Sequence, residues 1–297
     1  ALHVVLVAVP AVAEHQAHVS ELWSGFAAIS ATNPHAWSRT AYSAEEIRTV
    51  SDENRMVGFP YPKRMCANID VDQAAAVLLC SYEAARRAGV SDDHLVFPIA
   101  GADAADHYFF SERWSLAESP AIRAATRAAL DAAGIGVDDI ARFDLYSCFP
   151  SAVQIAMQAL ELGGPANRDT RPLTVTGGLG FAGGPGNNYV THSIAAMTQA
   201  CREDPGSPGL VTALGWYTTK HSVGIYSSTP SVHGFVDAGS EALNAEIDAT
   251  PSRVPAGAHD GSATVEATSV IFDRDGAPHL AIISALTADG RRALANS

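Results

Sequence analysis

The stretch from Thr174 to Ser193 reads TVTGGLGFAGGPGNNYVTHS, and six of the ten residues from Gly177 to Gly186 are glycine. A β-branched strand therefore empties into a loop almost free of side chains, which lets another group approach the backbone. Upstream, DLYSCFPSAVQ is a second strand-to-helix junction: Cys148 follows the apolar run Phe143 to Tyr146, and Pro150 is placed to open a helix. Two such junctions in successive β/α units place their loops over one pocket, so the expected fold is a mixed α/β sheet.

The chain reads in three parts. Residues 1–60 form a polar prelude. Apolar residues at helical spacing (Val19, Leu22, Trp23, Phe26, Ile29) predict a helix over 14–31, Ser43-Ala44-Glu45-Glu46 is a capping box, and the remainder is expected to lie as a loop over a partner surface. Residues 61–230 alternate strand and helix. Strands are predicted at 74–81, a continuous apolar run fit for burial, and at 95–101, 143–147, 173–176, 210–215 and 222–227. The last two are too close for a crossover helix and should pair antiparallel. Helices are predicted at 82–88, 120–133, 151–162 and 188–201, and the expected layer is a mixed five-stranded sheet covered by helices, one strand fewer than the six runs. Residues 231–297 form a small β domain, with strands at 264–272 and 279–286 joined at Asp273-Arg274-Asp275-Gly276. Those aspartates lack the further oxygen ligands and the Glu of a calcium loop, so the segment reads as a turn.

Composition narrows the function. With a formal charge of -13 and a pI near 5.2, the chain is a poor match for nucleic acid, because Lys and Arg must neutralise phosphates there. One small anionic ligand at a local site stays compatible with that charge. Cys66, Cys80, Cys148 and Cys201 have no CxxC or Cys/His spacing for zinc, so no metal is expected and free thiols in a reducing cytoplasm are. No apolar run reaches the length of a membrane span. The apolar start, Ala1 to Pro10, lacks both Met and a basic leader, which suggests processing or a longer parent chain.

Four runs together resemble, in order, the C-terminal half of a thiolase: NIDVDQAAAVLLCSYEAARRAGV, DLYSCFPSAVQ, GGLGFAGGPGNNYVTH and GLVTALGWYTTKHSVGIYSSTP. The likeness is to thiolase-like proteins of type 1 and to sterol-carrier-protein thiolases, and the tail resembles the additional, OB-like C-terminal domain of the former. The resemblance implies a cytosolic protein of the acetyl-CoA acetyltransferase kind, acting in lipid metabolism. It would bind coenzyme A or acyl-CoA as ligand, on a duplicated fold of which this chain supplies the second copy. The nucleophilic cysteine of that chemistry belongs to the first copy, so a thiolase N-terminal half or partner subunit is the implied partner. Residues 1–60 then resemble the end of the family's loop domain.

Position by position, the family's His-Asp-Cys-Phe matches Tyr146-Ser147-Cys148-Phe149. Cys148 thus stands at the acid/base cysteine and Tyr146 in place of a histidine. The Gly-His-Pro motif matches Gly183-Gly184-Pro185, with Gly184 in place of the activating histidine, and Cys-x-Gly falls on Ala213-Leu214-Gly215 without its cysteine. Thiolase activity by this chain alone is therefore not expected, and acyl-CoA binding without turnover is the alternative. An unassisted thiol with a pKa of about 8.5 is mostly protonated at neutral pH, and Cys148 reads equally as a small buried apolar residue. Tyr146 can donate a hydrogen bond but cannot shuttle a proton as histidine does.

Other candidates carry paired readings. His221 could replace the lost acid/base group with Lys220 steadying a phosphate, or both sit on a solvated hairpin. Asn187 and Asn188 could face an anion at a helix start, or simply cap it. His192 reads as a packing residue. Tyr108, Phe109, Phe110 and Trp114 could cover an acyl chain or adenine, or pack under a loop. Gly178, Gly180 and Gly183 also form a literal GxGxxG, which raises an NAD(P) site. The acid such a site needs at the end of the next strand is missing at Gly215-Trp216.

Overall fold

A computed structural model describes residues 12–163 and 170–297. The apolar start at 1–10 lies outside the described residues. The prelude carries α1 (Val12–Thr32) and α2 (Ala44–Arg48), and Ser43 and Glu46 close the capping box that opens α2. There follow β1 (Met56–Gly58), β2 (Tyr61–Pro62), α3 (Tyr82–Arg87), β3 (Phe97–Ala105), α4 (Pro120–Ala133), β4 (Arg142–Asp144) and α5 (Pro150–Ala159). The short turn α6 (Gly178–Phe181) and α7 (Tyr189–Glu203) precede β5 (Gly209–Gly215), β6 (Lys220–Ser227), β7 (Val236–Asp237) and α8 (Glu241–Asp248). The tail is β8 (Thr264–Phe272), β9 (Pro278–Leu286) and β10 (Arg292–Asn296).

The central sheet is five-stranded and mixed, in the order β4-β5-β6-β3-β7. β4 runs parallel to β5, while β5–β6 and β6–β3 are antiparallel, the former as its short connection requires. Alternation along β6 sends Val223 and Ile225 into the large core with α4, while Tyr226 packs with Met197 and Cys201 of α7. The sheet is thereby covered on both faces. α4 begins at Ser119, whose hydroxyl accepts the Ile122 amide, with Pro120 in the first turn, and it ends on Gly134 in the left-handed region. Its buried Ala121, Ala124, Ala125 and Ala129 bring the helix axis close to β3 and β6.

Two predicted strands do not form. The run 74–81 forms no regular element and pairs with no strand, with Leu78 93% and Leu79 78% exposed. An apolar run on both sides of a strand needs two covering layers, and none of the described residues supplies them. Residues 173–176 follow β4 only at their start, where Phe143 and Leu145 donate to the carbonyls of Pro172 and Leu173. Beyond that point, the amides of Val175 and Thr176 turn to the carboxylate of Asp144 rather than to a neighbouring strand.

The tail hairpin forms as expected, and β8 also pairs with β1, so the second sheet runs β10-β9-β8-β1-β2. In turn, β7 and α8 join the central layer, where Leu243 and Ile247 enter its core. One buried side chain ties the second sheet to the loop after β3. Arg292 forks onto Glu266 at 2.8 and 2.6 Å and also donates to the carbonyls of Phe110, Ser111, Arg113 and Trp114. Among the described residues, no helix is long and apolar enough to cross a membrane. Substituting Arg292→Met strands Glu266 and four carbonyls, so urea unfolding should show a loss of about 3–5 kcal/mol.

Candidate functional site

The two junctions meet at one end of the central sheet. Asp144, the last residue of β4, is fully buried and accepts six hydrogen bonds. Thr174 Oγ1, Val175 N, Thr176 N and Thr176 Oγ1 donate to Oδ2 at 2.9–3.1 Å, while Tyr189 Oη and Ser193 Oγ donate to Oδ1 at 2.9 and 2.7 Å. This carboxylate fixes both the entry to the glycine loop and the first turn of α7. Next to it, Ser147 Oγ accepts the Leu179 amide at 3.1 Å, so the Cys148 junction and the glycine loop touch.

What approaches the glycines is the chain itself. A Cβ on Gly178, which has a φ of 78°, would stand 2.6 Å from the Phe26 ring and 2.7 Å from Ser147 Oγ; one on Gly183 would stand 2.1 Å from Gln73 Oε1. Gly180 and Gly184 face the carbonyls of Cys66 and Asn68. The prelude lies over this loop: Asn33 Nδ2 donates to Thr176 O, Trp37 N to Ala182 O, and Asn68 N to Leu179 O. The bareness of the loop was legible in the sequence, whereas the identity of its neighbour, α1 with residues 66–73, was not.

Cys148 is half-buried, and its carbonyl accepts the Ala67 amide. Burial pushes its thiol up to about 11, against a smaller lowering by the backbone amides of Phe149 and Cys148. Cys66 is pushed up to about 12, also by burial, and the nearby Cys148 adds to that shift. Burial likewise raises Tyr146 to about 12, so its phenol stays a donor at neutral pH; its ring meets Tyr189 edge-on, 5.6 Å between centroids.

His221 is not brought to this group. It shares the α4 face of β6 with Val223 and Ile225, and its Nε2 lies 3.2 Å from Ser119 Oγ and 3.6 Å from Asp106. Its Nδ1 is buried without a partner. Asp106 also receives the Ser119 hydroxyl and the Ala121 amide, so this cluster anchors the start of α4. Lys220 points to the other face and is exposed. Asn187 is exposed, and Asn188 precedes α7 without a side-chain cap, its amide 3.2 Å from His192 Nε2.

A groove of about 810 Å3 runs along α7, beside the glycine loop. Tyr189, His192 and Ala196 form its floor, and Asn33, Gly183 and Gln73 stand on its rim. Gly183 is the one proposed ligand residue that lines it; Cys148, Tyr146, His221 and Lys220 do not. Among the described residues, no Lys or Arg lines the groove, and burial lowers the pKa of His192. Among the described residues, no cluster of His, Cys, Asp or Glu is placed to hold a metal ion. Sequence reasoning missed Asp144, although an acid ending an apolar strand before two threonines was a signal, and it missed Ser147.

Two measurements check this geometry. Asp144→Asn sets amide hydrogens against donors, so it should cost at least about 3 kcal/mol in urea unfolding and speed hydrogen exchange at 174–178. Alkylation by iodoacetamide at pH 8, read by mass spectrometry, should modify exposed Cys80 first. Cys148 should gain reactivity only as pH rises towards about 11, because a raised thiol pKa keeps the unreactive form below it.

A model of the thiolase-like protein type 1 additional C-terminal domain matches residues 242–297. No curated protein matches the chain. Among solved structures, the crystal structure of a monomeric SCP2-thiolase like protein type 1 from Mycobacterium smegmatis matches at 41% identity with a TM-score of 0.88, over 97% of this chain and 62% of that one. The chain therefore spans about three fifths of that relative's length. Human mitochondrial 3-ketoacyl-CoA thiolase matches at 17% identity with a TM-score of 0.38, over 50% of this chain and 34% of that one, too distant to add to the comparison. In its fold and in its C-terminal domain, the chain is similar to a thiolase-like protein of type 1.

Proposed function

We propose that this chain forms the C-terminal part of a coenzyme A thioester-binding protein and binds its ligand without catalysing thiolase chemistry by itself. The observation that carries this reading is the groove along α7, open beside the glycine loop and large enough for the extended arm of such a ligand. The ligand's place is the groove rather than the glycine backbone, since α1 and residues 66–73 already occupy the space before those glycines. The same occupancy counts against a dinucleotide at Gly178, Gly180 and Gly183.

Binding without turnover follows from proton chemistry. A general base must be ionised near neutral pH, and Cys148, with its thiol pushed up to about 11, is not. Tyr146 offers a hydrogen-bond donor, and His221 is engaged with Ser119 and Asp106 at the start of α4.

Among the described residues, no Lys or Arg meets the phosphates of the ligand in this groove, so that share of recognition falls to residues outside it. The exposed run 74–81 supports the same view. It begins at the groove, through Ala74 and Ala75, and offers two apolar faces to a further polypeptide such as the remaining two fifths of the Mycobacterium smegmatis relative. Four free cysteines suit a cytoplasmic setting.

Titration calorimetry with coenzyme A and acetyl-CoA tests the reading. Saturable binding is expected, weakened at least about tenfold by Ala196→Trp, which fills the groove, and unchanged by Cys148→Ser. Acetoacetyl-CoA should not be cleaved. Binding that ignores Ala196→Trp, or no binding at all, overturns the assignment to this groove.

A further inference from the structure

A second pocket, of about 530 Å3, lies between the central layer and the tail sheet. One wall is aromatic: Tyr108 and Phe109 from the loop after β3, and Trp216 and Tyr217 from the β5–β6 turn. The facing wall is Ala267, Ile282 and Leu294 from β8, β9 and β10. Its volume falls within the roughly 300–1,000 Å3 range that buries a small organic ligand.

This is a built cavity, because two buried arginines lock its walls. Arg292 holds the carbonyls of Phe110 and Ser111 against Glu266 of the tail, and Arg113 donates to the carbonyls of His107 and Tyr217 and to Thr219 Oγ1. Trp216 and Thr218 have φ of 62° and 55°, an unfavourable region for such residues. Arg113 grips the carbonyl between them, and the result holds a Trp216 side chain that is 64% exposed at the pocket mouth.

The chemistry of the lining selects the ligand. Among the described residues, no charged side chain lines the cavity, and its buried serine hydroxyls are already used, Ser269 donating to Phe59 O and Ser284 to Glu266. The aromatic neighbours stand at 84°, 32° and 70° to one another, so they offer no parallel pair to sandwich a planar ring. We propose that this pocket binds a single aliphatic chain, recognised through its hydrocarbon alone, as a site separate from the groove along α7.

The test uses dodecanoate and dodecanol, each below its aggregation threshold, titrated calorimetrically into the full chain. One saturable site is expected, with affinities for the two within about threefold because no charged side chain among the described residues lines the pocket to read the carboxylate. Ala267→Trp, which fills the cavity, and Ile282→Asp should each weaken binding at least about tenfold, and Ile282→Val by less than about threefold. Near-ultraviolet circular dichroism checks folding of each variant, and Ala267→Trp carries the test if Ile282→Asp does not fold. Ala196→Trp should leave chain binding unchanged, which separates this site from the coenzyme A groove. Absence of a saturable site, binding that survives Ala267→Trp, binding of dodecanoate without dodecanol, or tighter binding of a planar ring such as 1-naphthol overturns the proposal.

Discussion

A single buried carboxylate organises the end of the sheet where the candidate site lies. Asp144 takes donors from the strand-like segment at 174–176 and from α7, and so joins three pieces of chain that no β-ladder connects. Burying a carboxylate is costly unless its lone pairs are satisfied, and six donors meet that demand. The arrangement is directional as well: six hydrogen bonds to two oxygens fix where Thr176 ends, and hence where the glycine loop begins. The glycine positions then follow from clearance, since Phe26 and Gln73 leave no space for a side chain at Gly178 or Gly183.

This ordering gives the site a rigid floor with little acid/base capacity. Burial keeps the thiols and phenols around Cys148 protonated, and the imidazole with the strongest sequence claim, His221, is engaged with Ser119 and Asp106 at the start of α4. The likeness to a longer type 1 protein accounts for the fold and tail, while the exposed run at 74–81 marks a surface the described residues leave uncovered.

Local signals were legible where the chemistry is local. Pro120 and Gly134 bounded α4, the capping box placed α2, and the turn at 273–276 joined β8 to β9, because each involves residues a few positions apart. The run at 74–81 misled because hydrophobicity reports a need for burial without naming what meets it. Residues 173–176 misled because a side-chain carboxylate replaced a backbone partner. Arg113 and Arg292 were silent in the sequence, since their partners are carbonyls whose positions only the tertiary fold defines.

The second sheet draws β1 and β8 from opposite ends of the chain; the contact of Ser269 with Phe59 joins residues 210 positions apart. During synthesis, β1 emerges some 210 residues before its mate, so its edge stays open until β8 has been made. The tail therefore acts as a clasp on a segment made well before it, and closure of that sheet waits on β8.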